Sequence, residues 1–337
     1  MNKKQGTIYF LLDEHHGKDA FTFINFCKSI KHSKALKYLK KCFIRKMKPV
    51  GGVKISYQHC LALKNAGYTS DIIKLGYYED CFFNFDITPI YIDEIGYELE
   101  TNDIVVATEF RPYDGLKFQN AKKVLLAQSI CLLKEDQLFG FSGIGYKHIF
   151  TCSNFIKNKL VKCDQDIANV ITNGIDLNIF KPNIKLRVKN RILAFSRKNH
   201  SDLKKIQTLI AAQKEKFELV VVDALTEAEL VLEYQKSDIF LATGYPEGFG
   251  LPALEAMACG CVVVGFSGGG GLEYMQHGIN SLVADDGDVN SAADYATKLF
   301  TDLKLKERLR IQGIETSVNF SLEKMNDLVV ESYLKLF

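Results

Sequence analysis

Two glutamates eight positions apart, Glu247 and Glu255, bracket the run Glu247-Gly248-Phe249-Gly250-Leu251-Pro252-Ala253-Leu254-Glu255-Ala256-Met257-Ala258-Cys259-Gly260. Gly248 and Gly250 free the backbone for close approach to a ligand. Pro252 suits the first turn of a helix, and Gly260 falls where that helix should end. Unpaired N–H groups and the positive end of the dipole at such a helix N-terminus favour a phosphate-bearing ligand. Glu255, one turn in, is placed to accept hydrogen bonds from a ribose diol, and Glu247, ahead of the helix, to touch another part of the same ligand. Two glutamates taken alone fit better as a residue that complements the helix dipole, Glu255, and a solvated loop residue, Glu247.

The run needs a frame to hold it, and the chain supplies one. Short β-branched or aromatic runs at Thr7–Leu12, Asp71–Leu75, Thr88–Ile92, Asp103–Ala107, Lys123–Ala127 and His148–Cys152 read as buried strands, as do Arg191–Phe195, Glu218–Val222, Asp238–Ala242 and Cys261–Phe266. Amphipathic stretches lie between them: Val53–Ala66, Asn154–Lys162, Ser201–Glu215 and Thr226–Gln235. Strands alternating with helices predict parallel sheets wound on both faces. The pattern runs twice, joined by the polar connector Phe180-Lys181-Pro182-Asn183. The expectation is an α/β chain of two Rossmann-like domains facing across a cleft, with residues 1–181 in the first and 182–320 in the second.

Bulk properties narrow the class. The chain has 337 residues, 47% hydrophobic and 25% charged, enough for two cores. A net charge of +3 does not suggest a nucleic-acid binder. Nine cysteines are scattered in a chain too large to need a disulfide framework, which points to a reducing, cytoplasmic compartment. Cys259 and Cys261 flank Gly260 and read as small buried hydrophobes rather than metal ligands. Ile8–Leu12 is too short for a signal sequence, and no window approaches the ~20 apolar residues of a membrane span. From Lys28 to Lys48 there are nine Lys or Arg and no Asp or Glu, with Ile30, Leu36, Leu39, Phe43 and Met47 at roughly helical spacing. Such a stretch, within a basic insertion at about 20–48, fits a peripheral helix on an anionic membrane surface or an ordinary solvated face. It lacks the interleaved aromatic platform that nucleic-acid binding would use.

The run Glu247–Gly260 resembles, through every intervening position, the Glu-x7-Glu signature of the GT4 family of GT-B glycosyltransferases. Ile171-Thr172-Asn173-Gly174-Ile175-Asp176 with Phe180-Lys181-Pro182 is similar to that family's domain junction. Gly268–Gly271, Glu273, Gly278 and Asn280-Ser281-Leu282-Val283 are similar to its glycine-rich loop and the strand beyond. The likeness is most specific from about Asp238 to Asp288. It implies a hexosyl or deoxyhexosyl transferase, moving a sugar with retention from a nucleotide-diphosphate-sugar donor to a glycan or lipid-linked acceptor, without a metal or other cofactor.

By that resemblance Glu255 holds the ribose, Glu247 the transferred sugar, and Arg197 and Lys204 the diphosphate, with Lys198 a competing ligand because the Arg-to-Lys gap is irregular. Gly52, of the Gly51-Gly52 pair, would pass close to the phosphates. Gln128 stands where many members carry a His and would contact the sugar, and Gly248, Phe249, Gly250, Leu251, Gly269 and Gly270 complete the donor site. Glu109, Arg111, His15 and His16 are further candidates. Residues 321–337 are similar to the family's closing helix, which returns to the N-terminal domain. Of the two Asp-x-Asp spellings, Asp164-Gln165-Asp166 and Asp286-Gly287-Asp288, neither sits at a strand end near the donor, and both read as solvated.

Fold does not fix function. The His-to-Gln replacement and the irregular Arg–Lys loop leave a second reading, a non-catalytic nucleotide-sugar-binding scaffold. Turnover of donor in the presence of acceptor separates the two.

Overall fold

The computed structural model describes residues 6–13, 45–46, 51–76, 78–79, 85–129, 140–213 and 216–337. The basic stretch 28–48, apart from the backbone of residues 45–46, lies outside the described residues, as do His15 and His16. The described chain forms two compact units, Met1–Val124 and Leu125–Phe337.

The first unit contains strands β1 (Ile8–Leu12), β2 (Arg45–Lys46), β3 (Ser70–Lys74), β4 (Tyr78–Glu79), β5 (Ile90–Tyr91) and β6 (Ile104–Thr108), and the first half of β7 (Lys122–Ala127). Its helices are α1 (Gly51–Asn65), α2 (Ile92–Ile95) and α3 (Pro112–Gly115). The sheet runs β5-β3-β1-β6-β7, and among the described residues β2 pairs with β4. β1 pairs in parallel with both β3 and β6, with Ile8 opposite Ser70 and Ile104. Ile8, Phe10, Ile72, Ile73 and Ile104–Ala107 are buried, a continuous apolar run rather than an alternation, as in parallel strands covered on both faces.

Helix α1 lies against β1 and β3 and buries Val53, Ile55, Cys60 and Leu63. It also buries His59, whose ring meets Phe10 edge-on at 6.2 Å. Burial disfavours the charged imidazole and pushes the pKa of His59 down to about 3.

The second unit opens with the rest of β7, followed by α4 (Gly140–Gly143), β8 (His148–Thr151), α5 (Asn154–Lys159), α6 (Lys162–Ile167) and β9 (Ala168–Val170), with strands in the order β7-β8-β9. A second sheet follows, of β10 (Arg191–Phe195), β11 (Glu218–Val222), β12 (Ile239–Ala242), β13 (Val262–Phe266) and β14 (Ser281–Ala284). Its order is β11-β10-β12-β13-β14, and every pair is parallel. Helices α7 (His200–Ala211), α8 (Glu227–Lys236), α9 (Leu251–Ala258), α10 (Val289–Thr301), α11 (Leu303–Val318) and α12 (Leu322–Leu334) complete it. The core packs Ile192, Leu241, Val262, Val264 and Phe266 against Leu203, Ile206 and Ile210 of α7 and Ala292, Ala296 and Leu299 of α10. The start of α12 is tied to the junction by the Leu322 amide donating to the Ile175 carbonyl at 2.7 Å.

The two parallel α/β sheets match the expected fold class, and the expected connector at Phe180–Asn183 falls between β9 and β10. Three local expectations need correction. Asn154–Lys162 is two helices, broken where Leu160 is buried and extended (ψ 157°). Thr88–Ile92 is strand only at Ile90–Tyr91, because a short helix starts at Ile92. Asp164 is not solvated: its carboxylate is buried and accepts the Phe141 and Ser142 amides at 2.7 and 2.8 Å, which caps α4.

His59 gives the first unit a defined pH response. Below about pH 6.5 the unfolded chain binds a proton that the folded imidazole refuses until about pH 3. Stability is therefore full above pH 6.5 and falls as pH drops through that window, by up to about 1.4 kcal/mol per pH unit. His59→Leu is expected to flatten the fall in melting temperature between pH 7 and pH 5 relative to wild type.

Candidate functional site

The strand order of the second sheet reverses between β10 and β12: the chain goes outward from β10 to β11, then returns to the other side. The loops leaving the carboxyl ends of two such strands diverge and open a crevice, where ligands of α/β sheets bind. Here those loops are Ser196–Asn199 and Thr243–Gly250. They are stitched together: the Tyr245 amide donates to Asn199 Oδ1 at 2.9 Å, and Lys198 Nζ donates to the Pro246 carbonyl at 2.7 Å. Asn199 adopts a left-handed conformation (φ 51°), so its side chain turns to Tyr245 instead of capping α7.

Helix α9 leaves the second loop. Gly250, at φ 84°, makes the turn into it, and Pro252 lies in its first turn. The Tyr274 hydroxyl donates to the Gly250 carbonyl, and the Phe249 ring packs on Tyr274 and Phe320 at 5.5 and 6.0 Å. Burial, with Glu247 and Glu255 nearby, drives the Tyr274 phenol well above its usual pKa, which keeps it a neutral donor. At the other end of α9 the carbonyls of Cys259 and Gly260 accept from Arg187 at 2.7 and 2.5 Å, and Arg310 also donates to Gly260. The positive charge needed to balance a helix C-terminus is thus supplied by protein.

The glycine-rich loop after β13 is pinned to the Glu247 segment. The Glu247 amide donates to the Gly268 carbonyl at 2.8 Å and the Gly270 amide to the Glu247 carbonyl at 3.0 Å. A Cβ on Gly270 would collide with the Gly248 carbonyl, and one on Gly269 (φ 84°) with the Phe155 ring. From the β8 side, Ser153 Oγ caps α5 and donates to the Gly248 carbonyl at 2.6 Å. A Cβ on Gly248 would drive into the Gln128 carbonyl. Glu273 accepts from the Phe155 amide at 3.2 Å and from Asn154 Nδ2 at 3.1 Å.

The charged candidates fall into two groups. Glu255 is buried on α9 and accepts the Tyr234 hydroxyl at 3.2 Å. Glu247 and Lys198, each about one-third exposed, form an ion pair at 2.8 Å. Arg197 is exposed beside Lys198. Lys204 does not open α7 as expected, because the helix begins at His200; it sits a turn further along on the exposed face. Gln128, directly after β7, is partly buried, and Leu251 is the first residue of α9. Gly52 lies in the first turn of α1 in the first unit, where Arg111 pairs with Asp13 at 3.1 Å and Asp114 at 2.7 Å, and Glu109 is buried. Asp286 is exposed as expected, but its carboxylate accepts the Gly268 amide at 3.0 Å. Among the described residues no group of three or more His, Cys, Asp or Glu side chains is placed to hold a metal ion, and no helix is long and apolar enough to cross a membrane.

Residues 169–316, which span the junction, the crevice and the glycine-rich loop, match the family profile of glycosyl transferases group 1. Over that segment the chain is similar to the group 1 glycosyltransferases.

Relatives agree with this likeness. The chain is 27% identical over 247 residues to an alpha-1,6-glucosyltransferase of Actinobacillus pleuropneumoniae, covering 67% of this chain and 72% of that protein. Other curated relatives align over far less of their own length, 24% in one and 19% in another. Among solved structures, sucrose-phosphate synthase from Thermosynechococcus elongatus superposes with a TM-score of 0.69 at 14% identity over 99% of both chains. Anabaena HepE, solved in complex with UDP and glucose, gives 0.62 at 15% identity over 98% of this chain and 100% of that one. At such identities the likeness is one of fold, and the fold is the two-domain GT-B class.

Reading the sequence missed the residues that hold the transferase's site together. Tyr274 and Ser153 act through backbone carbonyls, and Arg187 and Arg310 reach α9 from distant positions, so no local spacing marks them. Asn199, before an amphipathic helix, carried a visible capping signal, but its side chain is spent on Tyr245.

The packing around Gly248 yields a test. Gly248→Ala forces a methyl onto a backbone carbonyl and is expected to cost about 1–3 kcal/mol. Gly278→Ala, where nothing lies within 4 Å of the added carbon, should cost less despite its positive φ. Urea unfolding of the two variants reports the difference.

Proposed function

We propose that the enzyme transfers a sugar from a nucleoside-diphosphate donor to a glycan or lipid-linked acceptor, with retention and without a metal ion. The observation that carries this reading is the N-terminus of α9 opening at the strand-order reversal, with Glu247 before it and Glu255 within it. The C-terminal end of α9 is already neutralised by Arg187 and Arg310, while Gly250, Leu251 and Pro252 at its N-terminus are partly exposed. That combination suits a diphosphate.

In this scheme Glu255 accepts the ribose hydroxyls, and the amides at the start of α9 and in the glycine-rich loop receive diphosphate and sugar. The bond between the anomeric carbon and the diphosphate oxygen breaks as the acceptor oxygen bonds to the same face. The acceptor's proton passes to the departing phosphate. Charge on the leaving group is met by Arg197, Lys198 and Lys204. Lys198, on Glu247 in this structure, would turn to the phosphate when donor enters, releasing Glu247 to the sugar hydroxyls. The metal-free part draws support from the two Asp-x-Asp pairs, since Asp164 and Asp286 are engaged with backbone amides. UDP, which the HepE structure holds, is the first base to try. A lipid-linked acceptor would bring the nine basic residues of 28–48 to an anionic membrane surface.

A thermal-shift screen against UDP, GDP, ADP, dTDP and CMP tests the donor site. One nucleotide is expected to raise the melting temperature, and Glu255→Ala to abolish that rise. A Glu255→Ala protein that still binds with wild-type affinity in calorimetry would sink the ribose role. Arg197→Ala is expected to lower turnover at least tenfold, the scale of one lost charge contact in the transition state, with little change in melting temperature. Parallel loss of activity and stability would mark Arg197 as structural instead.

A further inference from the structure

Tyr234 is fully buried near the end of α8, yet its hydroxyl reaches the carboxylate of Glu255, 21 residues on, at 3.2 Å. A buried tyrosine hydroxyl needs a partner, and a core position that needed only packing would be filled as well by phenylalanine. The ring is fixed on several sides. Phe180 lies 6.3 Å from it, Phe195 at the end of β10 lies at 6.1 Å, and Phe240 of β12 at 5.6 Å. Its backbone carbonyl accepts the Ser237 amide at 3.0 Å and the Cys261 thiol at 3.1 Å. The hydroxyl therefore sits at the tip of a ring with little freedom to swing.

Burial and the neighbouring Glu255 carboxylate push the Tyr234 phenol well above its usual pKa. It stays protonated across the working range and acts towards Glu255 as a donor. Phe180 belongs to the Phe180-Lys181-Pro182 segment, and Gln235, beside Tyr234, donates to the Lys181 carbonyl at 3.0 Å. The junction segment thus braces the same turn of α8 that presents Tyr234.

We propose that Tyr234 is a positioning residue for nucleotide recognition: its hydroxyl donates to Glu255 Oε2 and holds the carboxylate in one orientation for the ribose hydroxyls. The proposal rests on the reading of Glu255 as the ribose ligand. A glutamate with three rotatable side-chain bonds loses conformational freedom when it binds a diol. A carboxylate already oriented loses less, and the gain appears only with a ligand that carries the hydroxyls.

The test is calorimetric titration of wild-type, Tyr234→Phe and Glu255→Gln proteins with UDP and with its 2′-deoxy and 3′-deoxy forms, or with the GDP or ADP series if the screen selects that base. Wild type is expected to lose about tenfold in affinity when a ribose hydroxyl is removed. Tyr234→Phe should bind the ribonucleotide about five- to tenfold more weakly yet bind the deoxy form as wild type does, so that discrimination collapses. Its melting temperature should stay within about 3 °C of wild type.

Undiminished discrimination in Tyr234→Phe overturns the proposal. So does equal weakening towards both nucleotides, which would mark a loosened core. Undiminished discrimination in Glu255→Gln would instead remove the ribose role of Glu255 itself, a failure visible without the Tyr234 variant.

Discussion

The last carbonyls of a helix have no partners within it, and in α9 they are buried: Cys259 is fully inaccessible and Gly260 is enclosed. Their hydrogen bonds come from Arg187 and Arg310. Arg310 also pairs with Asp238 at 2.5 Å, and the other oxygen of Asp238 takes Lys306 at 2.7 Å and the Asn190 amide at 3.0 Å. Burial would raise the pKa of Asp238, but Lys306, the Asn190 amide and Arg310 outweigh it and hold the carboxyl below its usual range. Unpairing any of these buried charges would leave an uncompensated ion, which typically costs about 3–5 kcal/mol. Helix α9 is therefore fixed axially from its closed end, and that fixes where its open end points.

Given that anchor, the rest of the site is a matter of close approach. Gly248, Gly269 and Gly270 each stand where a side chain would strike a carbonyl or the Phe155 ring. Their contacts let the Glu247 segment, the glycine-rich loop and the ends of β7 and β8 meet backbone to backbone. Polar groups at that meeting are satisfied by main chain and by the side chains of Ser153, Tyr274, Glu273 and Asp286. A site built this way has few rotamers to order, which suits transfer chemistry that depends on positioning.

Much of the fold was legible because both sheets are parallel. A strand buried on two faces is apolar nearly throughout, so Arg191–Phe195 matches the observed strand residue for residue. Glu218–Val222 matches as well, on its β-branched run alone, since it is an edge strand with no buried residue, and the other long strands lie within a residue or two. The elements that escaped were short or weakly patterned. Ala168–Val170 has one buried residue in three, too few for periodicity to register. The break in Asn154–Lys162 depends on where Leu160 is buried, and the capping role of Asp164 depends on amides more than twenty residues away.

By itself the sequence determined the α/β class, the Glu247–Gly260 run with its helix start and stop, and the family that this run resembles, because each is written in local composition and spacing. The tertiary structure decided which groups those residues meet. Lys198 rather than Arg197 holds Glu247 because Asn199 turns left-handed and swings the loop against Tyr245 and Pro246. Tyr234 rather than solvent holds Glu255 because α8 packs its last turns against the aromatic ends of β10 and β12. Pairings of that kind are set by the three-dimensional course of the chain, over distances along it that no local spacing encodes.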